Sequence, residues 1–198
     1  MTLTYLGFFI PENILDEIQN DGVTNSVQTT RFAHKFLMAI SKHFSVVNIS
    51  SPSVVEFPAS NKVFTRGLTF SSCCQTSTVF PLINVFGIKN LMQILWPLAL
   101  IIKRPSDYYI CHGLNLSYII VLCLVKLVTR SPICILVTDP PDTGTQLDGY
   151  GKRFFRKAYI SLIGLLIKNF DGMIALSPSF KELFEFEGKF IFIEGVYE

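Results

Sequence analysis

Charge is what this chain has least of. Only 16% of its 198 residues are Asp, Glu, Lys or Arg, and the net charge is +2, where soluble domains usually carry roughly 25% charged residues. A nucleic-acid surface needs clustered Lys and Arg to meet phosphates, so nucleic acid is excluded as a partner. Long apolar runs are missing as well. A membrane-spanning helix needs about 20 nearly uncharged residues, but the run at 90–102 is closed by Lys103 and Arg104, and the run at 110–125 lies between Asp107 and Lys126. The N-terminus, MTLTYLGFFIPENILDE, has no positive leading region and soon meets Pro11 and Glu12, so it does not read as a signal peptide. The expected location is the cytosol.

Cysteine chemistry is equally sparse. Cys73, Cys74, Cys111, Cys123 and Cys134 are odd in number and form no CxxC pair, which argues against structural zinc and against a disulfide framework. No metal site and no cofactor are implied. There is no GxGxxG loop, internal repeat or Gly/Ser linker, so residues 1–198 are expected to form one domain. What is abundant is apolar surface: 49% of residues are hydrophobic, 18 are Phe, and mean hydropathy is +0.43. A chain of this length can bury about 70% of its unfolded surface.

Short apolar runs alternate with segments of helical spacing. Strands are expected at 5–10, 45–49, 107–111, 133–137, 172–176 and 189–193, with a weaker one within 62–71. Helices are expected at 26–43, 88–103, 114–129, 150–169 and 179–186. Pro97 should kink or break the second of these, and Ser179 with Glu182 forms a capping box for the last. In the first, Phe32, Phe36, Leu37 and Ile40 share one face. This alternation predicts an α/β fold, a doubly wound and mostly parallel Rossmann-like sheet with helices on both faces.

Such sheets bind ligands beyond the carboxyl ends of their strands, which singles out four places. Gly22, Val23, Thr24 and Asn25 precede a helix whose free N–H groups suit an anion, although a plain N-cap and turn explains them as well. His112 and Gly113 close the DYYIC strand, offering a base or donor beside a glycine that admits close approach. Thr138, Asp139, Pro140, Pro141 and Asp142 follow the most buried strand, placing two carboxylates and a hydroxyl on a stiff loop. Ser177-Pro178-Ser179 is a fourth place, accounted for by capping. Two basic, aromatic stretches point to a membrane surface. One is Lys152, Arg153, Phe154, Phe155, Arg156 and Lys157; the other is the first helix, with Arg31 and Lys35 around its Phe residues.

In their order, the Gly22 loop, DYYICHG, ICILVTDPPD, the basic-aromatic helix, FDGMIALSPS and FIFIEGVYE resemble the N-terminal domain of family-four-like glycosyltransferases of the GT-B fold. The resemblance covers essentially the whole chain and rests on order rather than on any single motif. It implies that this Rossmann-like domain binds a lipid-linked or saccharide acceptor. A second, C-terminal domain would bind the nucleotide sugar, and transfer with retention would occur between the two. Carried over, Gly22 to Asn25, His112 with Gly113, and Asp139 fall at cleft positions, and Glu194-Gly195-Val196 matches the usual Asn-Gly-Val before the crossover. A single Gly stands for the frequent Gly-Gly, Glu194 stands for Asn, and the E-x7-E donor motif is absent. The resemblance therefore implies an acceptor-binding half whose donor domain is missing or separate, working in polysaccharide or glycolipid synthesis at the inner membrane face. His112 and Asp139 are the expected catalytic residues, with Gly22, Thr24, Asn25, Gly113, Thr138 and Asp142 against substrate. The rival readings are a non-catalytic scaffold of a membrane synthesis complex, and another doubly wound sugar-nucleotide enzyme.

Overall fold

The computed structural model describes residues 1–10, 27–52, 63–71, 75–85, 87–141 and 150–193, with the backbone alone at 27–30, 75 and 150–153. Five helices are present among them: α1 (Val27–Ser41), α2 (Ile88–Lys103), α3 (Leu116–Thr129), α4 (Tyr150–Ile167) and α5 (Ser179–Leu183). The strands are β1 (Thr2–Gly7), β2 (Ser45–Ser50), β3 (Phe64–Thr65), β4 (Leu68–Ser71), β5 (Gln75–Val79), β6 (Leu82–Ile83), β7 (Tyr108–His112), β8 (Ile133–Val137), β9 (Gly172–Ala175) and β10 (Lys189–Phe192). Eight of them form one sheet in the order β10-β9-β8-β7-β1-β2-β5-β4. Every pairing is parallel except β4 with β5, and β3 pairs antiparallel with β6 in a separate ribbon. The expected doubly wound, mostly parallel α/β fold is the fold observed.

Strand alternation sends neighbouring residues to opposite faces of the sheet. On one face Leu3, Tyr5, Val46, Ile110 and Leu136 are buried with Ala33 and Leu37 of α1, and Phe32, Phe36 and Ile40 pack against them. On the other, Leu6, Tyr109, Cys111, Ile133, Ile135, Val137, Met173 and Ala175 join Ile101 of α2, Tyr118, Leu122 and Val125 of α3, Ile163 and Ile167 of α4, and Phe180 of α5. The continuous apolar run ICILV is therefore covered on both faces, as its composition requires.

Several boundaries move, each for a local reason. The first strand begins and ends earlier than the expected 5–10, because Thr2 to Tyr5 pair with β2 and β7 on either side. The strand expected at 107–111 is displaced by one, which brings His112 inside the sheet, in register with Leu136. The third helix starts at Leu116 rather than 114, since the Asn115 side chain accepts from the Tyr118 N–H at 3.2 Å and acts as its cap. Helix α2 runs unbroken through Pro97, which is buried on one stripe with Gln93 and Ile101. The capping box at Ser179 and Glu182 is not formed. Pro178 already has helical dihedrals, and Ser177 Oγ accepts from the Ser179 N–H at 3.3 Å. Among the described residues from 63 to 83 there are four short strands, where the sequence suggested one.

Candidate functional site

The strand order turns at β1. The chain adds β2 on one side of it, then returns to add β7, β8, β9 and β10 on the other. The crevice outside the carboxyl ends of β1 and β7 is thus the topological switch point, where doubly wound sheets hold ligands.

Four side chains meet there. Tyr5 lies in β1, and its phenol oxygen contacts His112 Nδ1 across the sheet. His112 ends β7, is 4% exposed, and holds Thr138 Oγ1 at 3.2 Å through Nε2. Thr138 follows β8 and donates through Oγ1 to Asp139 Oδ2 at 2.9 Å. Phe32 of α1 closes the site from above, its ring centroid 6.1 Å from that of His112. Gly7 leaves the space this packing needs: a Cβ there would stand 3.1 Å from Tyr5 Cε1 and 3.3 Å from His112 Cβ, inside ordinary contact distance.

Burial sets the electrostatics. Desolvation pulls the His112 imidazole down to about 4, and the nearby Asp139 charge opposes it only in part. The Tyr5 phenol is pushed well above its ordinary value by burial first and by Cys111 second. Both groups are therefore neutral at physiological pH, while Asp139 is exposed. The network grades from a dry interior at Tyr5 to solvent at Asp139.

Asp139 also borders a cleft of about 480 Å³, formed by Gly113 and Leu114 after β7, Pro140 and Pro141 after Asp139, and Arg156, Tyr159 and Ile163 of α4. Gly113 has φ +80°, a conformation that favours glycine, and a Cβ there would meet nothing within 4 Å. The Tyr159 hydroxyl fixes the cleft wall. It donates to the Leu114 carbonyl at 3.3 Å and accepts from the Leu116 N–H at 3.4 Å. The cleft thus offers one carboxylate, one guanidinium and a largely apolar floor, a set suited to a hydroxyl-bearing ligand with an anionic or apolar extension. A larger groove of about 550 Å³ lies elsewhere, between β4, β5 and α2, but the Tyr5–Asp139 network does not reach it.

Of the sequence-derived site residues, His112, Gly113, Thr138 and Asp139 come together. Gly22, Thr24, Asn25 and Asp142 lie outside the described residues, as do Val23 and Glu194 to Val196. Tyr5 and Gly7 were not anticipated. The signal for Tyr5 was its period-two spacing with Leu3, which puts both on one face of β1. Among the described residues no group of three or more His, Cys, Asp or Glu is placed to hold a metal ion.

The basic, aromatic stretches separate. Arg31 and Lys35 belong to α1 on one face of the sheet, whereas Phe154, Phe155, Arg156 and Lys157 belong to α4 on the other. Lys152 and Arg153 are on the backbone of α4, with side chains outside the described set. Phe154 and Phe155 are 69% and 74% exposed. Among the described residues, no helix is long and apolar enough to cross a membrane.

The α/β architecture is shared with about half of a larger solved structure. Sucrose-phosphate synthase from Thermosynechococcus elongatus superimposes with a TM-score of 0.58 at 9% identity, over 98% of this chain and 48% of that one. The chain thus spans about half the length of the solved structure it matches. An α,α-trehalose-phosphate synthase (UDP-forming) from Burkholderia vietnamiensis is more distant, with a TM-score of 0.42 at 10% identity over 93% and 42% of the two chains. No protein-family model matches the chain, and no curated protein matches it in sequence.

Proposed function

We propose that residues 1–198 are the N-terminal, acceptor-binding half of a family-four-like glycosyltransferase. In this reading a donor-binding domain, on the same or another chain, brings a nucleotide sugar to the carboxyl ends of β1, β7 and β8. The sugar passes to a hydroxyl of a lipid-linked or saccharide acceptor. The observation that carries the reading is Asp139. It follows β8, beside the strand that borders the switch point, is held by Thr138, and faces a cleft whose other charged wall is Arg156. Asp139 receives the acceptor hydroxyl, Gly113 lets the acceptor approach the backbone, and Gly22, Thr24, Asn25 and Asp142 are assigned to substrate contact by the resemblance.

The reading includes a membrane-bound acceptor met at the cytoplasmic surface. Helices α1 to α4 contain no Asp or Glu, while α2, α3 and α4 carry Lys89, Lys103, Lys152, Arg153 and Lys157, as well as Lys126, which is paired with Asp171, and Arg156, which lines the cleft. Beside these cations Leu91, Leu95, Ile102, Leu127, Val128, Phe154, Phe155 and Leu165 are exposed. Apolar side chains that insert, flanked by cations worth about 1 kcal/mol each near anionic lipid, suit a bilayer surface. Because α1 lies across the sheet, Arg31 and Lys35 would stand away from a bilayer lying flat on the α2–α3–α4 layer.

The test combines the chain with a separately expressed donor domain, nucleotide sugar and membrane extract. Asp139→Ala should lower transfer by about 100-fold or more, the scale of a lost group acting on the transferred proton. Transfer unchanged by Asp139→Ala removes the assignment. Turnover by the isolated chain, without any donor domain, favours a different doubly wound enzyme instead.

A further inference from the structure

We propose that Tyr5 is a positioning residue: through His112 and Thr138 its phenol sets the orientation of the Asp139 carboxylate at the mouth of the cleft. The consequence for transfer rests on the glycosyltransferase reading; the arrangement itself does not.

Hydrogen counting gives the network its direction. A carboxylate only accepts, so the single hydroxyl hydrogen of Thr138 goes to Asp139 Oδ2, 2.9 Å away. Thr138 Oγ1 must then accept from His112, 3.2 Å away, which puts the imidazole hydrogen on Nε2. His112 Nδ1 is left as an acceptor, and the neutral Tyr5 phenol is the donor that meets it. Each member has one hydrogen to give, so the chain runs in one direction, from Tyr5 outward to Asp139. His112 is then a donor with both nitrogens engaged, and not a free base for the acceptor hydroxyl.

The groups packed around the imidazole are Tyr5 and Gly7 of β1, Phe32 of α1, Thr138 and Asp139. Of these, Asp139 is the one that carries charge. Nothing else among them donates to Nδ1, so loss of the phenol hydroxyl leaves that nitrogen without a donor, and the Thr138 contact alone then holds the hydrogen on Nε2.

The experiment is nitrogen NMR of the chain with ¹⁵N-labelled histidine. There are three histidines, and His34→Gln and His43→Gln assign the other two signals. From pH 8 to about pH 5, below the ordinary histidine midpoint, His112 should show one neutral form with the hydrogen on Nε2. Tyr5→Phe keeps the ring and should leave the hydrogen on Nε2 but move the Nδ1 signal to that of an acceptor without a donor. Thr138→Val should keep the Nε2–H form because Tyr5 still holds Nδ1, and the double variant should give a mixture of both tautomers. A wild-type hydrogen on Nδ1, or an Nδ1 signal unmoved in Tyr5→Phe, overturns the proposal, and the wild-type measurement stands even if a variant fails to fold. In the reconstituted transfer assay, Tyr5→Phe should lower kcat about fivefold with KM unchanged, equivalent to about one hydrogen bond. If Asp139→Ala is inactive but the Nδ1 signal does not respond to Tyr5→Phe, the relay fails and the transferase reading survives. If the Nδ1 signal responds but Asp139→Ala is fully active, the reverse holds.

Discussion

The two faces of the sheet solve the same burial problem in different ways. On the α1 face one amphipathic helix covers the strands with Ala33 and Leu37, and its outer side carries Arg31, His34 and Lys35. On the other face α2, α3 and α4 cover the strands, yet they also turn Leu127, Val128 and Phe155 to the outside, each more than 70% exposed. The first face has an inside and an outside; the second is apolar on both sides of its helix layer. The polar network is placed on the first. Tyr5 and His112 pack against the α1 side, so the network sits away from the surface proposed to meet lipid and reaches the cleft only through Thr138 and Asp139. High overall hydropathy is thus not spread evenly: it is concentrated in one helix layer that carries apolar side chains on both of its sides.

The strongest challenge to this contrast is a core truncation. Leu122→Ala in α3, a fully buried position, should cost about 2–5 kcal/mol in chemical unfolding; a loss below about 1 kcal/mol means that the α3 layer does not pack on the sheet as described.

Next is the pH response of the α1 face. The His112 imidazole is held down to about 4 in the fold, against an ordinary value of about 6.5, so between those values the unfolded chain binds the extra proton. Stability should therefore be intact above about pH 6.5 and fall by roughly 3 kcal/mol as pH drops toward 4. His112→Gln should flatten that part of the curve, and an unchanged slope in the variant assigns the pH dependence to other groups.

Smaller still is the effect on membrane affinity. The triple variant Leu127→Ser, Val128→Ser and Phe155→Ser should weaken co-sedimentation with vesicles containing phosphatidylserine by about tenfold or more, since the buried apolar area it removes is large. Its unfolding free energy should shift by only about 1 kcal/mol, because surface changes are small. Arg31→Gln with Lys35→Gln should change vesicle binding less than about twofold, and a larger loss there would mean that the bilayer meets the α1 face.

The least effect is expected at the edge of the α3 layer. Lys126 pairs with Asp171 at 2.7 Å, and Asp171 also accepts from the Ile133 N–H at 2.9 Å. Burial pushes the Asp171 carboxyl up, but Lys126 and that N–H together hold it below its ordinary value. Asp171→Asn keeps the acceptor and removes the charge, and should cost about 0–1 kcal/mol in thermal unfolding.

The parts of the fold that were legible are those whose own residues carry the reason for their shape. ICILV reads as a doubly covered strand because five apolar residues in a row have no exposed face. Phe32, Phe36, Leu37 and Ile40 read as one side of a helix because 3.6-residue spacing puts them there. The segment from 63 to 83 was not legible. Gln75–Val79, QTSTV, has little apolar patterning, and it is a strand because β2 and β4 pair with it from both sides. The first strand was misplaced because the apolar run Leu6–Ile10 outweighed Thr2 to Tyr5, whose partners lie far along the chain. The same cause hid Tyr5 from the site. His112, Thr138 and Asp139 could be found by looking just beyond strand ends, whereas Tyr5 stands mid-strand and becomes chemical only when β7 arrives beside it.

That distance along the chain has a consequence in time. Tyr5 and His112 are 107 residues apart, and Asp139 lies further still. Loop closure on this scale is entropically slow, and sheets dominated by distant parallel pairings form late. On a ribosome the first strand must therefore wait, unpaired on its β7 side, until more than half of the chain has emerged. The hydrogen-bonded line from Tyr5 to Asp139 can form only after the last of those pieces is in place, so competence at the cleft doubles as a report that the centre of the sheet has closed.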